Sequence, residues 1–157
     1  MATSYGYKKL NELFRDASSE LTYPVGYDSG VVSDINIFNK THYMTLLWLV
    51  PPSWTGPFTN DRRMIKTYSV LFYVYQQDKQ DSSNEARDKI LDDCDFIATE
   101  YFIKLNEFIA ENQDREFTIG AMAAVPIKQA GTEVFTGLEC RFTLEIPDDN
   151  PYCENQS

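Results

Sequence analysis

A long amphipathic segment, from Ser82 to about Asn112, constrains the fold of this chain more than any other feature. Its apolar residues recur at steps of three and four, which places them on one broad face of a helix, and charged residues occupy the other face. Ser82 and Glu85 have the spacing of a capping box, which predicts that the helix begins there. A helix of roughly 30 residues is about 45 Å long, enough to cross a small sheet. The apolar positions are Ala86, Ile90, Leu91, Cys94, Ile97, Ala98, Tyr101, Phe102, Leu105, Phe108 and Ile109.

Five other segments have the composition and patterning of β-strands, namely residues 31–38, 43–50, 63–75, 117–125 and 134–146. The second of these is apolar without alternation, which predicts a strand that is buried on both faces or covered by a neighbouring subunit. We expect Pro51 and Pro52 to end it. The third is the longest and is predicted to be central. The last alternates strictly. Its inward positions are predicted to be Val134, Thr136, Leu138, Cys140, Phe142, Leu144 and Ile146.

The start of the chain contributes one more predicted helix. Residues 7–17 place Leu10, Leu13, Phe14 and Ala17 on one face, and residues 22–30 are rich in turn formers and are predicted to be a loop. The predicted order is therefore helix, three strands, long helix, two strands. This order is typical of an α+β fold with a mixed or mostly antiparallel sheet and the long helix packed across one face. We expect a single domain over residues 1–157, with a core at 31–146 and a tail at 147–157.

Charge and composition exclude some classes of function. The net charge of −10 argues against sequence-specific binding of nucleic acid through a basic face, although an acidic conduit could still let DNA slide past. No signal peptide and no run of about eighteen apolar residues is visible, so we expect synthesis in a cytoplasm and no membrane partner. The three cysteines, Cys94, Cys140 and Cys153, are an odd number and are expected to be reduced thiols.

The sequence shows no set of residues that is typical of catalysis or metal binding. His42 is the only histidine, and the cysteines lack the paired spacing of a zinc site. Asp92, Asp93 and Asp95 would point in diverging directions on a helix, so a solvated acidic face is the better interpretation than a cation site. We therefore expect no catalytic residue, no cofactor and no metal.

The aromatic residues allow two interpretations. Tyr68, Phe72, Tyr101 and Phe142 could line a ligand pocket between the sheet and the long helix, although core packing explains the same residues. Aromatic residues in loops and tails are typical of protein interfaces instead. The candidate interface residues are Pro51, Pro52, Trp54, Phe58, Pro151 and Tyr152.

Several stretches together resemble a known family. These are WLVPP with its aromatic loop, the strand and helix start KTYSVLFYVYQQDKQDSS, the helix NEARDKILDDCDFIATEYF and the closing FTGLECRFTLEIPDDNPYC. Over residues 31–153 the chain is similar to the tail terminator and tail completion (neck ring) proteins of tailed bacteriophages, in the form found in phages of Bacteroidetes-type hosts. The PPSWTGPF loop departs from that family's pattern.

The resemblance implies a structural, non-enzymatic virion protein made in the cytoplasm of the host bacterium. Its subunits would form a hexameric or dodecameric ring at the junction of the portal or neck with the tail, and DNA would pass through an axial channel. Other neck, portal and tail proteins would be its partners, and residues 147–153 would reach a neighbouring subunit. The acidic face of the helix would point to a neighbour or to the channel. The alternative function is a binding module for a small hydrophobic ligand.

Overall fold

The structure, a computed structural model, describes residues 6–30, 44–56, 64–79, 81–111, 117–129 and 134–148. Two helices lie on one face of a six-stranded mixed sheet, which confirms the predicted α+β fold with a long helix and a short N-terminal one. The elements in chain order are α1 (Tyr7–Ser19), β1 (Gly26–Ser29), β2 (Thr45–Thr55), β3 (Met64–Asp78), α2 (Asn84–Glu111), β4 (Thr118–Ile119), β5 (Ala123–Gln129) and β6 (Val134–Asp148). The strand predicted at 31–38 lies outside the described residues.

The sheet is built around the antiparallel pair of β3 and β6, which are each 15 residues long and pair along their whole length. On one side of this pair β2 runs antiparallel to β3, and β1 runs parallel to β2. On the other side β4 and β5 both pair with β6. Gly137 in β6 permits the close approach to β3, because a Cβ there would lie 2.1 Å from the carbonyl oxygen of Val74.

The structure extends β3 to Asp78 and β6 to Asp148, beyond their predicted ends at 75 and 146, and it shows three larger errors in the strand prediction. Residues 26–29 form β1 instead of a loop, because their backbone pairs with β2 despite their turn-forming side chains. Pro51 and Pro52 do not end β2, which continues to Thr55 after a register shift between Val50 and Ser53. Prolines lack a backbone N–H, and an irregular step in the pairing is where a strand tolerates them.

The third error concerns residues 117–125, which were predicted to form one strand. They form β4 and the start of β5 with a break between them, and β5 continues through Pro126. Because β5 pairs with β6 alone among the described strands, one side of its backbone needs no partner and a proline fits there.

The main hydrophobic core lies between the helices and the sheet, and most of the predicted apolar positions are in it. The inward residues predicted for β6 are all buried, as are the four predicted for α1. The stripe of α2 is confirmed at its centre, but Ala86 near its start is exposed. The hydroxyl of the fully buried Tyr101 donates a hydrogen bond to the Phe14 carbonyl oxygen at 2.9 Å, which joins α2 to α1. The buried α2 residues are Cys94, Ile97, Ala98, Tyr101, Leu105 and Ile109.

The start of α2 differs from the predicted capping box by one residue. Ser83 Oγ accepts a hydrogen bond from the Ala86 backbone N–H at 3.1 Å, so Ser83 is the cap. Ser82 Oγ instead donates to Asp78 Oδ2 at 3.1 Å, and Thr136 Oγ1 donates to the same oxygen at 2.6 Å. Asp78 thus connects the end of β3 to β6 and to the approach to α2.

A second hydrophobic cluster lies on the sheet face opposite the helices. It consists of Leu46, Trp48, Tyr73, Tyr75 and Phe135. Trp48 is therefore buried, and its Nε1 donates to the Gly30 carbonyl oxygen at 2.8 Å. This second cluster explains why β2 and the second half of β3 are apolar on both sides, as predicted from the sequence.

Candidate functional site

A groove opens on the helix side of the sheet, between α2 and the end of the sheet formed by the start of β2 and the end of β3. Its volume is about 670 Å³. We call it the acidic groove, and it is lined by Tyr23, Pro24, Met44, Thr45, Gln76, Asp92, Asp93, Phe96 and Ile97.

The floor of the acidic groove carries a polar pair. Gln76 and Thr45 are cross-strand partners, and Gln76 Nε2 donates a hydrogen bond to Thr45 Oγ1 at 2.9 Å. Both side chains are buried. A glutamine amide has two N–H donors and a carbonyl acceptor, so this floor can offer further hydrogen bonds to an occupant.

The rim of the groove is apolar and exposed. Tyr23, Met44 and Phe96 are 59%, 76% and 52% exposed, and the rings of Tyr23 and Phe96 meet edge to face with centroids 5.9 Å apart. The backbone N–H and hydroxyl of Thr22 both donate to the Glu100 carboxylate, so the segment that carries Tyr23 is fixed to α2. The rim is thus a positioned apolar surface that faces water.

The three aspartates predicted to form an acidic face separate around α2. Asp92 and Asp93 line the groove, whereas Asp95 does not. Burial raises the pKa of Cys94 to about 12, with the Asp93 charge adding to it, and burial likewise raises the pKa of Cys140 on β6 to about 12, with Asp95 adding to it. Because successive residues of an α-helix are separated by about 100°, Asp93 and Asp95 lie on opposite flanks of α2.

The opposite end of β2 carries a second exposed aromatic surface. Trp54 is 39% exposed, and Lys66 Nζ lies 4.5 Å from the centroid of its ring. The ring of Tyr7 on α1 meets Tyr68, the cross-strand partner of Trp54, edge to face at 6.4 Å. A cavity of about 280 Å³ adjoins this surface between α1 and the bulge of β2. We call the surface the basic end, defined by Tyr7, Lys8, Pro51, Pro52, Trp54 and Lys66.

Of the predicted interface residues, the structure places three at the basic end. Trp54 and Pro51 are exposed and Pro52 is buried. Phe58, Pro151 and Tyr152 lie outside the described residues, together with His42 and Cys153.

The predicted pocket residues do not line the groove. Phe72 packs against Tyr101 with centroids 5.2 Å apart and against Phe142 at 6.3 Å, and these side chains are buried, as is Tyr68. These four aromatic side chains are part of the main core, and the acidic groove lies elsewhere.

Sequence reasoning missed the apolar residues of the groove. Phe96 was the detectable signal, because it is an aromatic residue on the charged face of α2, outside the apolar stripe. Tyr23, Met44 and Gln76 gave no comparable signal, since they come from three segments that are far apart in the chain.

Within the described ranges, no group of three His, Cys, Asp or Glu side chains is placed to hold a metal ion, and no described helix is long and apolar enough to cross a membrane. No protein-family model matches the sequence, and comparison with curated proteins finds no match.

Proposed function

We propose that this chain is the structural subunit of a ring at the neck or tail end of a tailed-phage particle. One observation carries the proposal: a small α+β subunit presents exposed aromatic surfaces at both ends of one strand. Tyr23 and Phe96 lie at one end, and Tyr7 and Trp54 at the other. Exposed apolar surfaces of this kind mark sites of protein interaction, and a subunit with two of them can contact two neighbours.

The acidic face of α2 supports passage of DNA through such a ring. Glu85, Asp88 and Asp95 are exposed along the first half of the helix and lie outside the acidic groove. Carboxylates that line a channel repel phosphates, so DNA moves through without being held. The net charge of −10 has the same effect on the whole subunit.

The test of ring formation is direct. Light scattering after size-exclusion chromatography should give the mass of a closed oligomer, and negative-stain images should show rings with a central hole. A protein that stays monomeric at every concentration reached would refute the proposal.

The acidic face can be tested by replacing Asp92, Asp93 and Asp95 together with asparagine. All three are exposed, so we expect an unchanged circular dichroism spectrum and thermal midpoint. Assembly, measured by sedimentation velocity, or DNA passage, measured as ejection from reconstituted particles, should change. If neither changes, the acidic face has no part in the function.

A second candidate function is binding of a small hydrophobic ligand, and the acidic groove is the observation that favours it. Its volume of about 670 Å³ lies in the range of ligand pockets, about 300–1,000 Å³. Its apolar rim and polar floor are also typical of such pockets. Native mass spectrometry of the purified protein distinguishes the two functions, because a monomer that retains a small hydrophobic molecule supports ligand binding and a ring without one supports the structural function.

A further inference from the structure

We infer that the acidic groove of one subunit receives the basic end of a second copy of this chain, in a head-to-tail contact that repeats around the ring. The inference rests on the proposed ring function and adds the two surfaces that meet.

The two surfaces lie at opposite ends of β2. Thr45 at the groove is the first residue of this strand, and Trp54 at the basic end is next to its last. At about 3.3 Å per residue they are separated by at most about 30 Å. Both belong to the helix side of the sheet, because Trp54 pairs with Tyr68 and Thr45 pairs with Gln76. Two different patches at opposite ends of a subunit produce a heterologous contact, which closes into a ring when the rotation between copies allows it.

The chemistry of the two surfaces is complementary. The groove has an apolar rim with the carboxylates of Asp92 and Asp93 beside it. The basic end presents the partly exposed ring of Trp54, with the ammonium group of Lys66 over its face, and Lys8 lines the adjoining cavity. An aromatic anchor in an apolar groove supplies affinity, and opposite charges at its edge set the register and reject wrong pairings.

Like-with-like contacts are disfavoured by the same charges. Two grooves facing each other would bring the Asp92 and Asp93 carboxylates of two copies together, and two basic ends would bring their lysines together. Like charges placed against each other across an interface destabilise it. The charge pattern therefore favours groove against basic end over either symmetric dimer.

The test uses one variant for each surface. Phe96→Arg adds a positive charge to the groove, and Trp54→Glu removes the aromatic anchor and adds a negative charge at the basic end. Each variant alone should stay monomeric in sedimentation velocity. An equal mixture should give a heterodimer and nothing larger, because only one intact surface remains on each partner.

The matched control is Val125→Arg on β5. Val125 is 58% exposed, close to the exposure of Phe96, but it lies on the strand at the other edge of the sheet. This variant should assemble as the wild-type protein does. Circular dichroism verifies the fold of all three variants.

A charge exchange keeps the test decisive if Trp54→Glu does not fold. Lys8→Glu and Asp92→Lys both change exposed positions. Each should weaken assembly by about tenfold, and an equal mixture of the two should recover assembly, because the new carboxylate at position 8 of one variant then meets the new ammonium group at position 92 of the other.

The outcomes separate this inference from the ring function itself. Rings that form normally from each single variant overturn the head-to-tail contact and leave the ring function standing. Normal assembly of Trp54→Glu with loss of assembly in Phe96→Arg also overturns it, since that result indicates a symmetric contact between grooves. Open filaments that both variants abolish support the contact and refute the closed ring. A monomeric wild-type protein overturns both.

Discussion

Replacing Tyr101 with phenylalanine removes one hydroxyl from the centre of the core and tests how α1 is held. The hydroxyl donates to the Phe14 carbonyl oxygen at 2.9 Å, and Tyr101 is fully buried. Phe14 lies inside α1, so its carbonyl oxygen also accepts the helical hydrogen bond from four residues further on. The acceptor therefore keeps one partner, and the expected loss is that of one hydrogen bond, about 1 kcal/mol.

For a chain of this size, a loss of 1 kcal/mol lowers the thermal midpoint by about 2–4 °C. Urea unfolding followed by circular dichroism should show a lower midpoint concentration with an unchanged slope. Because α1 carries Tyr7 and Lys8 of the basic end, assembly should also become more sensitive to temperature.

The matched control is Tyr23→Phe, which removes the same hydroxyl from a side chain that is 59% exposed and should change stability by less than about 0.5 kcal/mol. If the two variants are equally stable, the hydrogen bond between α2 and α1 contributes nothing and our account of how the helices are joined is wrong.

Three further predictions concern the sheet and the titratable groups. Gly137→Ala should destabilise the protein by about 1–3 kcal/mol in urea unfolding, because its Cβ would meet the β3 backbone. The control Gly6→Ala adds a Cβ with no atom within 4 Å, and because Gly6 is the N-cap of α1, where alanine caps less well than glycine, it should cost less than about 1 kcal/mol. Burial alone would raise the pKa of Asp78, but hydrogen bonds from its neighbours outweigh it and lower that pKa below 3.8. The lowered pKa contributes stability that is fully present above pH 3.8 and is lost as the pH falls through the lower, folded-state value. The difference in stability between the wild type and Asp78→Asn should therefore be constant near neutral pH and shrink below pH 3.8, whereas a difference that grows on acidification would contradict it. The Cys94 and Cys140 thiols, both buried with a raised pKa, should resist iodoacetamide in the folded protein and react in urea, as peptide mapping by mass spectrometry would show.

The local patterns of the sequence were enough to predict the architecture. The apolar stripe of α2 and the alternation of apolar and polar residues in β6 each indicate which side of the element is buried, because the backbone sets the periodicity of helices and strands. Once two elements this long each have one apolar face, a helix packed across a sheet follows from the need to bury both faces.

Features that depend on pairing between distant segments could not be predicted in this way. β1 forms because its backbone pairs with that of β2. β2 continues through its two prolines because a bulge there shifts the register of its pairing with β3. Turn-forming residues and prolines favour loops locally, and tertiary pairing overrides that preference.

The sequence by itself determined the class of fold, the buried face of each long element and the overall acidity of the surface, since each is a sum of local properties. Only the tertiary structure decided where the exposed surfaces lie. It brought Tyr23, Met44 and Phe96 together from three segments to form a groove, and it placed Trp54 with Lys66 at the other end of the same strand. A groove is formed by residues that are distant in the sequence. These residues come together only after the strands have paired and the helix has packed across them.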